Sequence, residues 1–318
     1  MLNRFLALSL WAGLTLFSCG YASAQEYPVK PLRIYTAEPG GSGDFLARLI
    51  ASGLSASLGQ QVIVENRPAG IILAEAVARA APDGYSLLYF NSTLWILPFL
   101  RKTPYDPVKD FSPISFAAST PNVLVGHPTL PVKSVKELIA LAKSKPGALN
   151  YASTAIGGST HLAAELFKSM AGVNIVHIPY KGAGIAITDL LAGQVELLFG
   201  VTTAVAPHIK SGRLRALAVT SAQPSRLAPG LPTIASAVPG YECVSIFGVF
   251  APARTNQAIL NRLGHEINLV LNNADVREKF VNAGAEPVGG SAADLASALR
   301  HDMAKWGKVI RDAGIKVE

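Results

Sequence analysis

The sequence predicts an α/β protein built on mostly parallel strands, and three observations lead there. Short runs rich in β-branched and aromatic residues alternate with helical patterns from one end of the chain to the other. The helical patterns carry explicit start and stop signals. Half of the residues are apolar, enough to supply a core without covalent staples.

The first segment stands outside that alternation. "MLNR" carries one positive charge, "FLALSLWAGLTLF" is 13 apolar-rich residues, and "ASA" closes the stretch before Gln25. This is the pattern of a cleavable secretory leader, too short to span a bilayer. "LFSC", ending at Cys19, is a weak lipoprotein box because Phe17 fits it poorly, so soluble export to the periplasm is expected. Removing residues 1–24 from the 318 leaves 294, a length typical of two domains, and the loss of Arg4 takes the formal charge from +7 to +6. The remaining Lys and Arg are dispersed, with no basic run or aromatic-interleaved patch, which argues against nucleic acid as a partner. Cys243 is then the sole thiol, so no internal disulfide forms. No later stretch is long and apolar enough for a membrane helix.

The strands predicted in order are "LRIYTA", "QVIVE", "YSLLYF", "NVLVGH", "LNYAS", "NIVHIPY", "VELLFGV", "LRALAVTS" and "IFGVFAP". Between them, "LAEAVARAAPDG" reads as a helix ended by Pro82-Asp83-Gly84. "SVKELIALAKSKPG" reads as one opened by a Ser134/Glu137 capping box and ended by Pro146-Gly147. Residues 224–242 are rich in Pro and small residues and read as an irregular crossing. Three helices are expected after the last strand, over 256–272, 276–283 and 292–313.

Two stretches carry the chemistry. "PGGSGD", residues 39–44, lies between the first strand and a helix whose Phe45, Leu46, Leu49 and Ile50 recur at helical spacing. "STAIGGSTH", residues 153–161, repeats the arrangement after the strand "LNYAS". Each turn aims helix N-terminal N–H groups and a positive dipole end at a small anion, an attraction of about 0.3–1 kcal/mol per helix. Ser42, Ser159 and Thr160 add hydroxyl donors. Ser and Thr are also ordinary N-caps, and Gly is ordinary in turns, so either stretch alone is ambiguous. Two of them, more than 100 residues apart, point to two lobes facing one anion. Asp44 is read as a first-turn carboxylate that stabilises its own helix, which disfavours a dianionic phosphate.

Other chemistries lack their motifs. No GxxxxGK[ST] or GxGxxG is present. Ser42 and Ser159 fall outside a G-x-S-x-G elbow, since Asp44 and His161 stand where its last Gly belongs. His161 and Glu165 are four apart but make no metal site, and His127, His177, His208, His265 and His301 have no zinc-like spacing. Lys181 in "PYKG" could reach a carboxylate, though an exposed lysine after a strand needs no function.

Taken together, "YPVKPLRI", "PGGSGDFLARLIA", "VIVENRPAG", "AAPDGYSLL", "PYDPVKDFSPIS", "PVKSVKELIA", "THLAAELFKSMAGVNIVHIPYKG", "AGQVELLFG", "PHIKSGRLRALAVTS", "PGYE" and "GAEPVGG" resemble the Bug-type (Bordetella uptake gene) solute receptors of tripartite tricarboxylate transporters. The likeness runs along nearly all of the mature chain. It implies the two-lobed periplasmic-binding-protein fold (type II), with crossing strands near 121–126 and 245–252. Lobe 1 is then 25–122 with 248–318, and lobe 2 is 123–247.

The resemblance also implies a cleft that holds a ligand carboxylate. The expected ligand-binding set is Pro39, Gly40, Gly41, Ser42, Gly43 and Asp44, with Asn91, then Ser153, Thr154, Gly157, Gly158, Ser159, Thr160 and His161, and Gly200 with Val201. No cofactor, metal or catalysis is expected. The expected partners are a small organic carboxylate and the transporter's membrane subunits, with the receptor itself monomeric.

Three departures from the family pattern bear on the ligand. "AGIILAEAVARA" is shorter than the usual glycine-rich loop and puts Ile71, Ile72 and Leu73 near the cleft. Gly200-Val201 stand where Asp-Asn is frequent, and Ile156 stands where a polar residue is frequent. These changes favour a carboxylate with a hydrocarbon or aromatic body over an amino acid or a hydroxylated tricarboxylate. The rival readings are a periplasmic sensor that presents its closed form to a signalling partner, and a secreted α/β hydrolase.

Overall fold

The computed structural model describes residues 27–40, 42–153 and 157–315, and of Ser42 only its backbone position. The leader with Cys19, and Gly41, Thr154 and Ile156, lie outside the described residues. The chain alternates as the sequence predicts. In order it forms β1 (Leu32–Thr36), α1 (Ser42–Leu58), β2 (Val62–Asn66), α2 (Ile71–Ala78), β3 (Ser86–Asn91) and α3 (Thr93–Leu100). Then come β4 (Phe111–Gly126), α4 (Val135–Ser144), β5 (Asn150–Ser153), α5 (Ser159–Ala171), β6 (Val176–Pro179) and α6 (Ala183–Leu191). The remainder is β7 (Leu197–Val201), α7 (Thr202–Lys210), β8 (Arg215–Val219), β9 (Val244–Pro252), α8 (Gln257–Asn272), α9 (Ala274–Asn282), β10 (Glu286–Gly290) and α10 (Ala292–Asp312).

Among the described residues the strands run in the order β2-β1-β3-β9-β4-β7-β5-β6, with β8 and β10 also pairing with β4. β1 is parallel to β2 and β3, and β5 is parallel to β6 and β7. Two parallel groups are thus joined through β4 and β9, which run antiparallel to their neighbours. β4 serves both sheets. Its Phe111–Pro121 part pairs with β9, while Asn122–Gly126 pairs with β7 and β8.

Packing follows from the apolar periodicity. Leu46, Ile50 and Leu54 recur every four residues on α1 and are fully buried in one cluster with Leu263, Ile267 and Leu271 of α8. β7 is buried from Leu197 to Gly200, as expected of a strand covered on both faces. At the head of α4 the predicted capping box forms in part. Ser134 Oγ accepts the Glu137 N–H at 3.2 Å, but the Glu137 carboxylate takes the N–H of Lys133, one residue before the cap. α9 begins two residues earlier than predicted because Asn273 caps it, accepting from the Asp275 and Val276 N–H groups.

One tertiary tie positions the site. Asp302 on α10 is 1% exposed, accepts a hydrogen bond from the Trp95 indole Nε1 at 3.0 Å, and pairs with Lys305 at 3.0 Å. This clamps α3 onto α10. Breaking such a buried pair by removing one partner costs about 3–5 kcal/mol.

Candidate functional site

The parallel strands β1, β2, β3 and β5, β6, β7 each run directly into a helix N-terminus. The carboxyl edge of an open α/β sheet is where such folds bind ligands. A cavity of about 340 Å³ opens between the two groups at the β3–α3 and β5–α5 turns. Asn91, Ser92 and Thr93 approach from the first, Gly157, Gly158 and Ser159 from the second, and Val244 and Ser245 of β9 line it between them. Four of the predicted site residues, Asn91, Gly157, Gly158 and Ser159, are therefore brought together.

The β5–α5 turn brings the N-terminus of α5 to the cavity. Gly158 is the N-cap of α5 and provides no side-chain cap, so Ser159 and Thr160 are first-turn residues and not caps. Gly157 has φ +76°, and a Cβ there would sit 2.3 Å from Leu100 Cδ1 of α3. Only glycine permits that approach between the two groups of elements. The Gly157 N–H donates to His161 Nδ1 at 2.9 Å, which holds the turn ahead of the positive end of α5.

His161 is the hub of a buried cluster that the sequence does not reveal. Its ring stacks on His177 at a centroid distance of 4.2 Å, and His177 stacks on Tyr151 at 4.9 Å. Ser153 Oγ lies 2.7 Å from His177 Nε2, so Ser153 is committed beneath the turn. Glu165 Oε1 accepts from Tyr151 Oη and Lys168 Nζ, each at 2.6 Å, and stands 4.0 Å from His161 Nε2. Burial, reinforced by His177 and Lys168 against the opposing pull of Glu165, pushes His161 down to about 4. Burial also lowers His177. Both imidazoles are neutral at pH 7, and His161 is an acceptor at Nδ1. No group of three or more His, Cys, Asp or Glu side chains among the described residues is arranged to hold a metal.

The β1–α1 turn uses the same device with a charged residue. Gly40, at φ +82°, donates its N–H to Asp44 Oδ2 at 3.0 Å. The same carboxylate accepts from Arg48 Nε at 3.2 Å and Asn66 Nδ2 at 2.9 Å. Burial raises the Asp44 carboxyl, but the hydrogen bonds from Arg48, Asn66 and Gly40 outweigh it and hold it below the ordinary range. Asp44 thus has the structural role expected of it. Pro39 and Gly40 are exposed and Gly43 is half-buried; this turn does not line the cavity.

Two placements differ from expectation. α2 starts at Ile71, and its buried face carries Leu73, Ala74 and Val77, so Leu73 packs into the core and only Ile72 is well exposed, at 56%. Helical phase, about 100° per residue, sets those neighbours on opposite sides. Gly200 is buried in β7, where a Cβ would meet Val205 Cγ1 at 2.4 Å; it is a packing residue, and Val201 beside it is exposed.

The cavity wall comes from residues the sequence does not flag. Ile96, Leu97 and Leu100 of α3 face Leu162 of α5 and Trp306 of α10, and Cys243 lies among them. Burial pushes the Cys243 thiol up to about 12, so it stays protonated and acts as apolar wall. Further apolar side chains stand exposed where cleft helices begin: Phe45 and Ile72 on the first sheet's side, Ile185 and Val201 on the second's. The signal available in sequence was the position of α3, directly after a central strand; nothing marked Trp306.

Comparison with known proteins identifies the chain. Residues 46–315 match the model of the tripartite tricarboxylate transporter family receptor. The chain belongs to that family. It is 37% identical to protein BugT of Bordetella pertussis over 327 aligned positions, covering 100% of this chain and 99% of the relative. Among solved structures it is similar to Rpa4515 of R. palustris with adipate, at 38% identity and TM-score 0.75, covering 91% of this chain and 99% of that one. It is also similar to MatC from Rhodopseudomonas palustris with bound malate, at 27% identity and TM-score 0.72, covering 89% and 100%. The fold is that of the periplasmic solute-binding receptors, as the sequence motifs implied, and the protein is a solute receptor of this transporter family.

Proposed function

We propose that this receptor captures an organic carboxylate with a hydrocarbon body between two lobes and delivers it to the membrane subunits of its transporter, without catalysing a reaction. The observation that carries the reading is the N-terminus of α5. It has no side-chain cap, is held by a neutral His161, and opens onto a cavity with apolar walls. A carboxylate there gains charge-assisted hydrogen bonds, and its body gains about 25 cal/mol per Å² of apolar surface covered. Adipate and malate in the two relatives support a small carboxylate, and adipate supports a hydrocarbon body.

The proposed lobes are 25–122 with 248–318, and 123–247. They are supported by the change of pairing partners between Pro121 and Asn122 in β4; the second change, between Cys243 and Val244, comes slightly earlier than that division. In this reading the β5–α5 turn is the preformed half of the grip. The β1–α1 turn, with Gly41, Ser42 and Gly43, joins when the lobes close. Export by the 1–24 leader and a monomeric state complete the proposal. Against hydrolysis stands the His161 imidazole, whose Nδ1 is engaged by Gly157 and whose ring is stacked on His177.

Calorimetry of residues 25–318 with adipate, malate, citrate and glutamate tests the reading, paired with small-angle scattering. Tight binding of a carboxylate with a reduced radius of gyration is expected. Absence of binding to every carboxylate would remove it.

A further inference from the structure

The two halves of the molecule are joined by more than their shared strands. Glu286 opens β10 and pairs with Ser119, in the part of β4 that is bound to β9. Its Oε1 accepts a hydrogen bond from Ser225 Oγ at 2.5 Å and another from the Arg226 N–H at 3.1 Å. Ser225 belongs to the other half. It is 5% exposed, its Oγ accepts the Leu227 N–H at 3.1 Å, and its carbonyl takes the Ala228 N–H. Ala228 and Leu231 of the same turn pack against the apolar cluster of the second sheet, and Val219 of β8 donates to Pro232 O at 2.9 Å. One carboxylate thus carries two hydrogen bonds between segments seated on different sheets.

The head of β10 meets the second half at another point. Gly284 has φ +80°, and a Cβ there would sit 2.3 Å from Thr203 Cγ2 of α7. Ser119, opposite Glu286, is two residues from Pro121, where β4 changes partners. At about 3.3 Å per residue, the tie lies about 7–10 Å along the strand from that hinge. A rotation of about 15° moves groups at this radius by about 2–3 Å, enough to take a hydrogen bond out of range. Ser225, Arg226 and Glu286 do not line the cavity at the β5–α5 turn, so the tie acts on the lobes and not on a ligand.

We infer that Glu286 is a latch between the proposed lobes: it holds the arrangement described here, and the cleft closes on a ligand only when its two hydrogen bonds break. The inference rests on the receptor reading above, in which the β1–α1 turn joins the grip on closure and lies outside the cavity before it. Affinity is then set partly from outside the site. A receptor whose closed form is a minor state binds more weakly in proportion to that fraction. Weakening the latch raises the fraction and tightens binding without touching the ligand.

Calorimetry of residues 25–318 with adipate, malate, citrate and glutamate compares wild type with Glu286→Ala, Glu286→Gln and Ser225→Ala. Thermal unfolding followed by circular dichroism checks that each variant folds. Losing a charge-assisted hydrogen bond corresponds to tenfold or more in an equilibrium. For the carboxylate that wild type binds most tightly, Glu286→Ala should bind about tenfold more tightly and Ser225→Ala about threefold, with Glu286→Gln between wild type and Glu286→Ala. A tie with only a structural role would lower the unfolding temperature and leave affinity unchanged or weaker. That result in Ser225→Ala, or in either Glu286 variant that folds, would overturn the latch while leaving the receptor. No binding of any carboxylate to wild type would take the receptor reading down and the latch with it.

Discussion

The two glycine turns look alike in sequence, "GGSGD" against "GGSTH", and the fold closes both in the same way. In each, a glycine at positive φ donates its N–H to the side chain four residues on: Gly40 to Asp44, and Gly157 to His161. The difference is charge. Asp44 is an anion held by Arg48 and Asn66, whereas His161 is a buried neutral ring backed by His177. A neutral closure keeps the positive end of α5 available to a ligand. An anionic closure partly cancels the positive end of α1. The second turn is also the one pressed against α3 of the other sheet, through Gly157 and Leu100. Equivalent motifs thus become unequal sites because of one residue and its neighbours.

Making the turns alike should have the largest effect. His161→Asp places a carboxylate under the α5 N-terminus, where like charges cost several kcal/mol, so affinity for a dicarboxylate should fall at least a hundredfold by calorimetry. Gly157→Ala comes next. Its Cβ would sit 2.3 Å from Leu100 Cδ1, so the Leu100 side chain must shift, and its left-handed backbone costs about 1–2 kcal/mol for a non-glycine residue. Affinity should drop about tenfold, and Leu100→Ala in the same protein should recover part of the loss. No recovery would mean that the backbone conformation alone is responsible.

Acid separates the turns without mutation. His161 is depressed to about 4 from an unfolded value near 6.5, so the unfolded chain takes up a proton first as pH falls. Stability from this site is complete above about pH 6.5 and is lost progressively down to about pH 4, by roughly 3 kcal/mol at most. His177, also depressed, adds in the same direction. Glu165, Lys168 and Tyr151 are the charged and titratable groups that face the pair. Asp44, depressed from the carboxylate range, contributes above about pH 4 and loses its share only below it. Urea midpoints between pH 7 and 4 should therefore slope in wild type and flatten in His161→Gln. The smallest effect is expected from Asp44→Asn at pH 7. Stability should fall by about 1–2 kcal/mol through the lost charge-assisted bonds, with the dissociation constant changed less than threefold.

Much of the fold was legible because periodicity and punctuation are local properties. The strand–helix alternation and the three C-terminal helices follow from apolar spacing and caps. The crossing strands were expected from the family resemblance, and the Phe111–Pro121 part of β4 was not marked by its spacing. The turn at Gly157–Ser159 was legible because a glycine-rich turn between a strand and a helix aims N-terminal N–H groups outward, whereas Asn91 was expected only through the family resemblance. The rest depended on juxtaposition. Trp306 reaches the cavity only because Asp302 ties α10 to Trp95, more than 200 residues away in sequence. His177 joins His161 only because β5 and β6 pair in register, setting Tyr151 opposite His177. Leu73 turned inward because the start of α2 sets its phase, which a loop comparison does not carry.

The most direct test of the central claim is the backbone amide spectrum of the receptor, recorded by NMR with and without saturating adipate. The account predicts large downfield proton shifts at Gly158 and Ser159, with the Gly157 N–H changing little because it stays on His161. Confirmed binding that leaves Gly158 and Ser159 unmoved would contradict it.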